Sequence, residues 1–494
     1  MNSQLGYDTG NDKTPFMSNS LKNTQDVGVN DAWNSLAWYL QGEYNYRNRY
    51  FLQANLTLEG SSRFGQDGGD LNLFDAAWGL FPGVQASWVL SNEPWLAKVK
   101  FVNYLRLTAG YDISGNDDID YYVARSFFRA KQFLHAISGL TLDGIGNTEI
   151  EWEKTGRFNV GFEASLLNNR ITLGANYYNS TTSNLLTRQS LGFLSGLDQN
   201  WNNGGKLSNT GYDLNATVKV LALKDWQWQL GGSIGHYKNE IKELSDGNKY
   251  MDTEVYGATI RTKVGDAANL FYGYKTLGVF STSEEAAAAN LYILGDNGVD
   301  RNYFGAGDIH FADLNNDGRI DENDRKVIGD PNPDFYGNIF TTLNWKRLRL
   351  DVRFTYSMGN DVYNYMRQQL ESGSRFMNQT TAMTRRWQVE GQQTDVPRLA
   401  FQDPMGNARF SDRWIEDGSY LRLKTVTLSY ELPLKSQFIQ GLQFWVQGNN
   451  LLTFSKYLGS DPEFTMTSSV IGQGIDLGRI GQSRSVVAGM KINL

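Results

Sequence analysis

Residues 347–358 read RLRLDVRFTYSM. Successive side chains of an extended strand point to opposite sides. Leu348, Leu350, Val352, Phe354, Tyr356 and Met358 therefore share one face, and Arg347, Arg349, Asp351, Arg353, Thr355 and Ser357 share the other. The first face suits lipid or a dry core, and the second suits water. The alternation recurs in YFLQANLTLEG (50–60), RFNVGFEASL (157–166), RITLGANYY (170–178), DLNATVKVLA (213–222), WQWQLGGSIGHY (226–237) and SVVAGMKINL (485–494). Segments 35–46, 78–90, 100–111, 335–345, 419–432 and 441–454 carry it less regularly, so the chain is expected to form about 13 strands.

The regular segments are about ten residues long, the length that crosses a bilayer at a strand tilt near 45°. Strands of soluble sandwiches run nearer five or six residues. Connections alternate between short ones, such as 47–49, 168–169, 224–225, 345–347 and 433–440, and long ones, at 61–77, 112–154, 179–210, 239–334, 360–418 and 455–482. Short turns on one side and long loops on the other mark an outer-membrane barrel. A soluble carbohydrate-binding β-protein shares the alternation but not the strand and loop lengths.

Composition agrees with an all-β membrane protein. The 494 residues include 26 Tyr, 26 Phe, 13 Trp and 51 Gly but only 9 Pro, and no Cys, which excludes disulfides and thiolate metal sites. No run approaches the ~18 apolar residues of a spanning helix. Mean hydropathy is −0.46, which fits either a soluble protein or a membrane barrel whose strands are apolar on one face only. The net charge of −7 is spread without basic clusters, which argues against nucleic acid as a partner.

With the short turns placed in the periplasm, an odd strand count makes the first and last strands both run toward the periplasm. Residues 1–33 are then an extracellular loop segment, and residues 34–494 are barrel strands with long extracellular loops. Such a barrel does not close alone, since single-chain barrels have even strand numbers. The opening MNSQLGYDTGNDK also lacks the basic and apolar regions of a signal peptide. The expectation is the C-terminal part of a longer barrel.

Inside the long 239–334 connection lies DLNNDGRIDEND (313–324). Asp313, Asn315 and Asp317 occupy positions 1, 3 and 5 of a calcium-type loop, with Gly318 at the sharp turn. Arg319 offers its backbone carbonyl, Asp321 an oxygen and Asp324 the closing carboxylate. Calcium is a hard cation that takes six to eight oxygens, so this spacing predicts a structural Ca2+ site. The same residues could instead make a metal-free turn held by side chain–backbone hydrogen bonds.

No catalytic constellation stands out. Asp117, Asp118, Asp120, Glu151, Glu153, Asp412, Glu416 and Asp417 are read as solvated loop charge, and His135, His236 and His310 lack ligand spacing. His236 shares a face with Trp226, Trp228, Leu230 and Ile234, which suits a membrane interface. No GxSxG, P-loop or HExxH motif occurs, so an enzyme is not expected. Tyr177, Trp226, Trp345 and Tyr430 are read as interface girdle residues. Trp201, Tyr303, Phe304, Tyr363, Tyr365 and Phe376 either contact substrate or pack the loops.

Several longer stretches resemble one family. LEGSSRFG (58–65), WGLFPGVQASWVLS (78–91), LRLTAGYDISGN (105–116), EWEKTGRFNVGFEASLLNNRI (151–171) and YGYKTLGVF (272–280) occur in order. They are followed by GDIHFADLNNDGRIDENDRKVIGDPNPDFYGN (307–338), SMGNDVYN (357–364) and SDRWIEDGSYLRLKTVTLSYELP (411–433). Together they resemble the C-terminal half of the SusC-like TonB-dependent outer-membrane transporters of Bacteroidetes. The resemblance implies a barrel of about 22 strands when complete, with the plug and TonB-contact segment absent from these residues. It also implies import of oligosaccharides or peptides beneath a SusD-like surface lipoprotein, with energy from the TonB complex. A split transporter or an inactive fragment are the alternatives it leaves open. Leu494 stands where the family usually ends in an aromatic. In the last stretch, Trp414 and Ile415 are expected to anchor a loop, Gly418 to permit a turn, and a shift of apolar phase near Thr425 predicts a β-bulge.

Overall fold

The computed structural model describes residues 32–74, 76–133, 137–190, 199–295, 297–433, 439, 441–464 and 470–493. Most of the 1–33 segment, His135 and Leu494 lie outside them. Thirteen long strands run β1 Ser35–Tyr46, β2 Tyr50–Ser61, β3 Ala76–Val89, β4 Val102–Asn116, β5 Glu153–Leu166, β6 Ile171–Ser183 and β7 Lys206–Ala222. They continue with β8 Trp226–Glu243, β9 Phe335–Trp345, β10 Leu348–Met358, β11 Tyr420–Leu432, β12 Gly441–Ser455 and β13 Ser485–Asn493. They pair in chain order, with Leu71–Leu73 as a short addition beside β3. Every segment expected from the alternation is a strand.

Lengths depart from the expectation. β7 has 17 residues and β8 has 18, because their polar stretches Lys206–Tyr212 and Lys238–Glu243 continue the strands. Alternation reports which face meets an apolar medium, whereas backbone pairing needs only N–H and C=O partners. The short turns are tight: Trp345 pairs with Leu348, and Lys346 takes a left-handed backbone at φ 54°. The predicted bulge is present, since pairing of β11 with both β10 and β12 shifts between Leu423 and Thr425.

The apolar face is exposed along each strand, as lipid contact requires. Ile339, Leu428, Val446 and Met490 are all 46–55% exposed. Aromatics gather at strand ends. Trp226 stacks on Trp345 at 5.5 Å, and Tyr50 stacks on Tyr46 and Trp88 at 6.4 and 6.1 Å. His236 sits between Tyr212 and Phe335, at 5.3 and 5.5 Å, its Nδ1 2.6 Å from the Asp334 carbonyl oxygen. No described helix is long and apolar enough to cross a membrane.

The chain divides into two compact units. One comprises the described residues among 1–163, 176–210 and 239–249, and its core joins Phe64, Phe81, Ile119, Ile150 and Trp152. Phe64 lies 4.1 Å from Trp152, ring to ring. The other comprises the described residues among 164–175, 211–238 and 250–494 and holds two cores. Both cores are built from the long connections, which are folded modules rather than open loops. Tyr250–Val255, Ala258–Lys263, Leu270–Tyr274 and Arg325–Gly329 form a four-stranded sheet. Its Ile260 and Phe271 pack with Tyr363, Phe410, Trp414 and Ile475. The second core joins Phe280, Phe304, Ile309, Phe311 and Ile320 with Met405.

Candidate substrate-binding site

Side chains on the polar faces of β7 to β11 converge at the strand ends next to the long connections. Asp213 and Asn215 come from β7, Ser233 from β8, Tyr336 and Asn338 from β9, Thr355 and Ser357 from β10, and Tyr420 from β11. With Glu463 of the 456–484 connection they line a cavity of about 500 Å³. Two-residue periodicity places them together, because each faces away from the apolar side. Asn338 Nδ2 donates to Ser233 Oγ at 2.6 Å, and the Tyr356 hydroxyl donates to the Ser233 carbonyl at 3.1 Å. Gly337 makes this approach possible: a Cβ there would lie 2.0 Å from the Ser233 carbonyl oxygen.

A buried ion pair backs the cavity. Arg422 is 2% exposed; its guanidinium binds Asp461 and lies 3.0 Å from Glu463, which Lys424 also reaches at 3.2 Å. Asp461 accepts N–H bonds from Glu463 at 2.9 Å and Gln482 at 2.8 Å. Burial works against its charge, but these donors and Arg422 outweigh it and hold the carboxyl below the ordinary carboxylate range. Thr355 Oγ1 and Arg422 Nε are buried without a hydrogen-bond partner among the described residues. No local sequence signal announced this network, since Arg422 and Asp461 are 39 residues apart.

The calcium-type loop is closed by its own backbone. Asp313 accepts from the N–H groups of Asp317 and Gly318 at 3.3 and 2.8 Å, and Asn315 from Asp317 at 3.0 Å. Asp317 accepts from Arg319 at 2.7 Å and Asp321 from Asn323 at 2.8 Å. Asp324, fully buried, accepts from Leu314 and Asp321 at 2.9 and 2.8 Å. Gly318 takes φ 78°, the left-handed backbone expected at the sharp turn. The described residues contain no group of three or more His, Cys, Asp or Glu side chains converging on one point. Each carboxylate oxygen that accepts one N–H retains a second lone pair.

The loop aromatics separate by burial. Tyr363 and Phe304 are core residues, 0% and 4% exposed, and are not available to a substrate; their side chains fill the modules. Tyr365 packs on Tyr256 and Tyr363. Trp201 lies against the Phe64–Trp152 core, its Nε1 donating to Asp120 at 2.8 Å. Tyr303 is half exposed, and Phe376 is 94% exposed beside Phe401 at 4.9 Å.

The loop carboxylates are largely structural rather than free solvated charge. Asp412 accepts from the Thr276 N–H and hydroxyl at 2.9 and 2.7 Å, and Glu416 pairs with Arg367 at 3.1 Å. Asp117 pairs with Arg63 and Glu151 accepts from Asn184. Glu153 accepts from the Leu186 N–H, and Asp417 from that of Ser419. His310 stacks on Phe280 at 4.3 Å, and burial lowers its pKa although Glu285 opposes the shift. Trp414 and Ile415 anchor their module as expected. Gly418 lies in the link between Ile415–Asp417 and β11, where a Cβ would meet Asn360 Nδ2 at 2.5 Å.

No family model matches the chain. Curated relatives do. TonB-dependent receptor P3 of Formosa agariphila is 28% identical over 466 residues, covering 91% of this chain and 44% of the relative. TonB-dependent receptor SusC of Bacteroides thetaiotaomicron is 26% identical over 486 residues, covering 93% and 44%. Among solved structures, the RagAB peptide transporter superposes with a TM-score of 0.77 at 23% identity, covering 93% of this chain and 48% of that one. The chain spans about half the length of the relatives it matches. Its strands resemble those of a TonB-dependent receptor barrel, and it is an outer-membrane chain similar to SusC-like receptors over nearly its whole extent.

Proposed function

From that likeness to the SusC-like TonB-dependent receptors, we propose that this chain forms barrel wall and extracellular modules of a nutrient importer. The importer takes up oligosaccharides or peptides, with a SusD-like lipoprotein over the mouth and energy from the TonB complex. The observation that carries the reading is the polar cavity at the strand ends, formed by five neighbouring strands and flanked by the ion-paired 456–484 connection. Passage through a membrane needs a lipid-compatible outer face and a wet inner one, and β7 to β11 have both. The chain is a carrier, not an enzyme.

β1 and β13 each pair on one side only among the described residues. Unpaired strand edges are not tolerated in hydrocarbon, so further strands, carried in the same polypeptide or in a second one, close the barrel. Disrupting the gene should abolish growth on one oligosaccharide or peptide source while leaving growth on its monomers unchanged. Growth retained on every such source would sink the proposal. Intact mass of the chains co-purifying from outer membranes separates one longer polypeptide from two.

The loop at 313–324 is proposed to hold Ca2+ through Asp313, Asn315, Asp317, Asp321 and Asp324, with the Arg319 carbonyl completing the set. Calcium should raise the unfolding temperature and EGTA should reverse it. Asp317→Ala, which spares the buried Asp324, should weaken calcium about tenfold or more, as loss of one charged ligand does. An unfolding temperature indifferent to calcium leaves the loop as a turn held by its own hydrogen bonds.

A further inference from the structure

The cavity at the ends of β7 to β11 has an unbalanced charge. Glu463 is neutralised by Arg422 and Lys424, at 3.0 and 3.2 Å. Asp213, on the same wall and exposed, has no ion-pair partner among the described residues. No lysine, arginine or histidine is among the lining residues. The lining therefore carries one uncompensated negative charge and, with it, neutral groups able to accept hydrogen bonds: Asn215, Ser233, Asn338, Thr355 and Ser357. Thr355 Oγ1 is buried and unpaired. Tyr336 and Tyr420 add aromatic rings.

We infer that this cavity is a subsite for a primary ammonium group, the free amino end or lysine side chain of a short peptide. The inference rests on the importer reading above and selects peptides among its two substrate classes. A primary ammonium has three donors and no acceptor, which matches a lining that holds a carboxylate together with amide and hydroxyl oxygens. Tyrosine rings attract cations through their quadrupole. An anionic ligand would meet the like charge of Asp213. A neutral sugar offers no charge to pair with Asp213 and so gains nothing from the one feature that distinguishes this wall. A cavity of about 500 Å³ lies within the usual range for small ligands, room for one or two peptide residues but not for a long chain.

The test uses the transporter purified in detergent from outer membranes with all its co-purifying chains, titrated calorimetrically with three probes. Tri-glycine with a free amino end should bind, and N-acetyl-tri-glycine about tenfold or more weakly, as loss of a charge-assisted hydrogen bond implies. Maltotriose should not compete. Asp213→Asn should weaken tri-glycine by a similar factor and leave the acetylated probe unchanged. Because Asp213 is exposed, that variant keeps the fold, which an unchanged unfolding temperature verifies. Binding of tri-glycine should also fall as pH rises past the amino group's pKa of about 8.

Equal affinity for the free and acetylated probes, indifference to Asp213→Asn, or no binding of any probe overturns the inference. None of those results touches the importer proposal, which stands on growth of the disrupted strain. Conversely, tri-glycine binding with growth unaffected by gene disruption sinks the importer and leaves only an ammonium-binding wall.

Discussion

Replacing Arg422 by leucine is expected to detach the 456–484 connection from β11 and to cost about 3–5 kcal/mol, the range for removing one partner of a buried ion pair. Arg422 and Asp461 are 2% and 7% exposed, so solvent screens their attraction little. The loss is set by what stays behind. Asp461 keeps its bonds from Glu463 and Gln482 but loses its cation, and Glu463 retains only Lys424. The double variant Arg422→Leu with Asp461→Leu should recover much of the stability, because no charge is then left uncompensated. Lys424→Ala should cost less than about 1 kcal/mol, since its pair with Glu463 is about one-third exposed on both sides. Hydrogen exchange across 456–464 and 470–484 would report the detachment directly. Protection unchanged in Arg422→Leu would show that other contacts hold the connection.

Trp414→Ala is the second large effect, at about 3–5 kcal/mol for emptying a buried aromatic site. Trp414 is fully buried among Phe271, Tyr363, Phe410 and Ile475, and its Nε1 donates to the Arg409 carbonyl at 3.1 Å. The guanidinium of Arg413 lies 4.5 Å over its ring and that of Arg367 at 5.7 Å. Burial, with Arg367 close by, pushes Arg413 down to about 10, and its two terminal nitrogens have no hydrogen-bond partner among the described residues. The ring is therefore a major support of that cation, and its removal compounds the cavity with a less favourable charge. Trp414→Phe keeps most of the volume and should lose about 1–2 kcal/mol, chiefly the Nε1 bond. Limited proteolysis within 359–419 would follow the damage. Equal protease resistance of Trp414→Ala and the parent would mean the core closes over the gap.

The two effects reside in parts of the chain that the sequence reads unequally well. Strand positions were legible because period-2 alternation is local: RLRLDVRFTYSM states its own conformation and both of its faces. The phase slip after Leu423 announced the bulge for the same reason. So was the outward placement of Trp226, Trp345 and His236. The six residues of the calcium-type loop were legible as a turn, since Asp, Asn and Gly at fixed offsets bond the adjacent backbone whatever surrounds them.

The modules between strands were not legible. Tyr363 and Phe304 read as either substrate contacts or loop packing, and both are core; the sequence left the choice open because an aromatic in an irregular segment carries no periodicity to reveal which side is buried. Asp308, fully buried, meets Arg398 from 90 residues away, and Arg422 meets Asp461 from 39. Charge pairing at such distance follows from where folded strands end, not from neighbours in the chain. The cavity is a further step removed: each of its strands contributes one or two polar side chains that look ordinary alone. Sequence by itself determined the strands, their faces and the membrane they suit, because those depend on interactions between near neighbours and one solvent. Only the tertiary structure decided which arginine is buried, which aromatics are core and where Asp213 stands unpaired, because each depends on which distant segments share one enclosed volume.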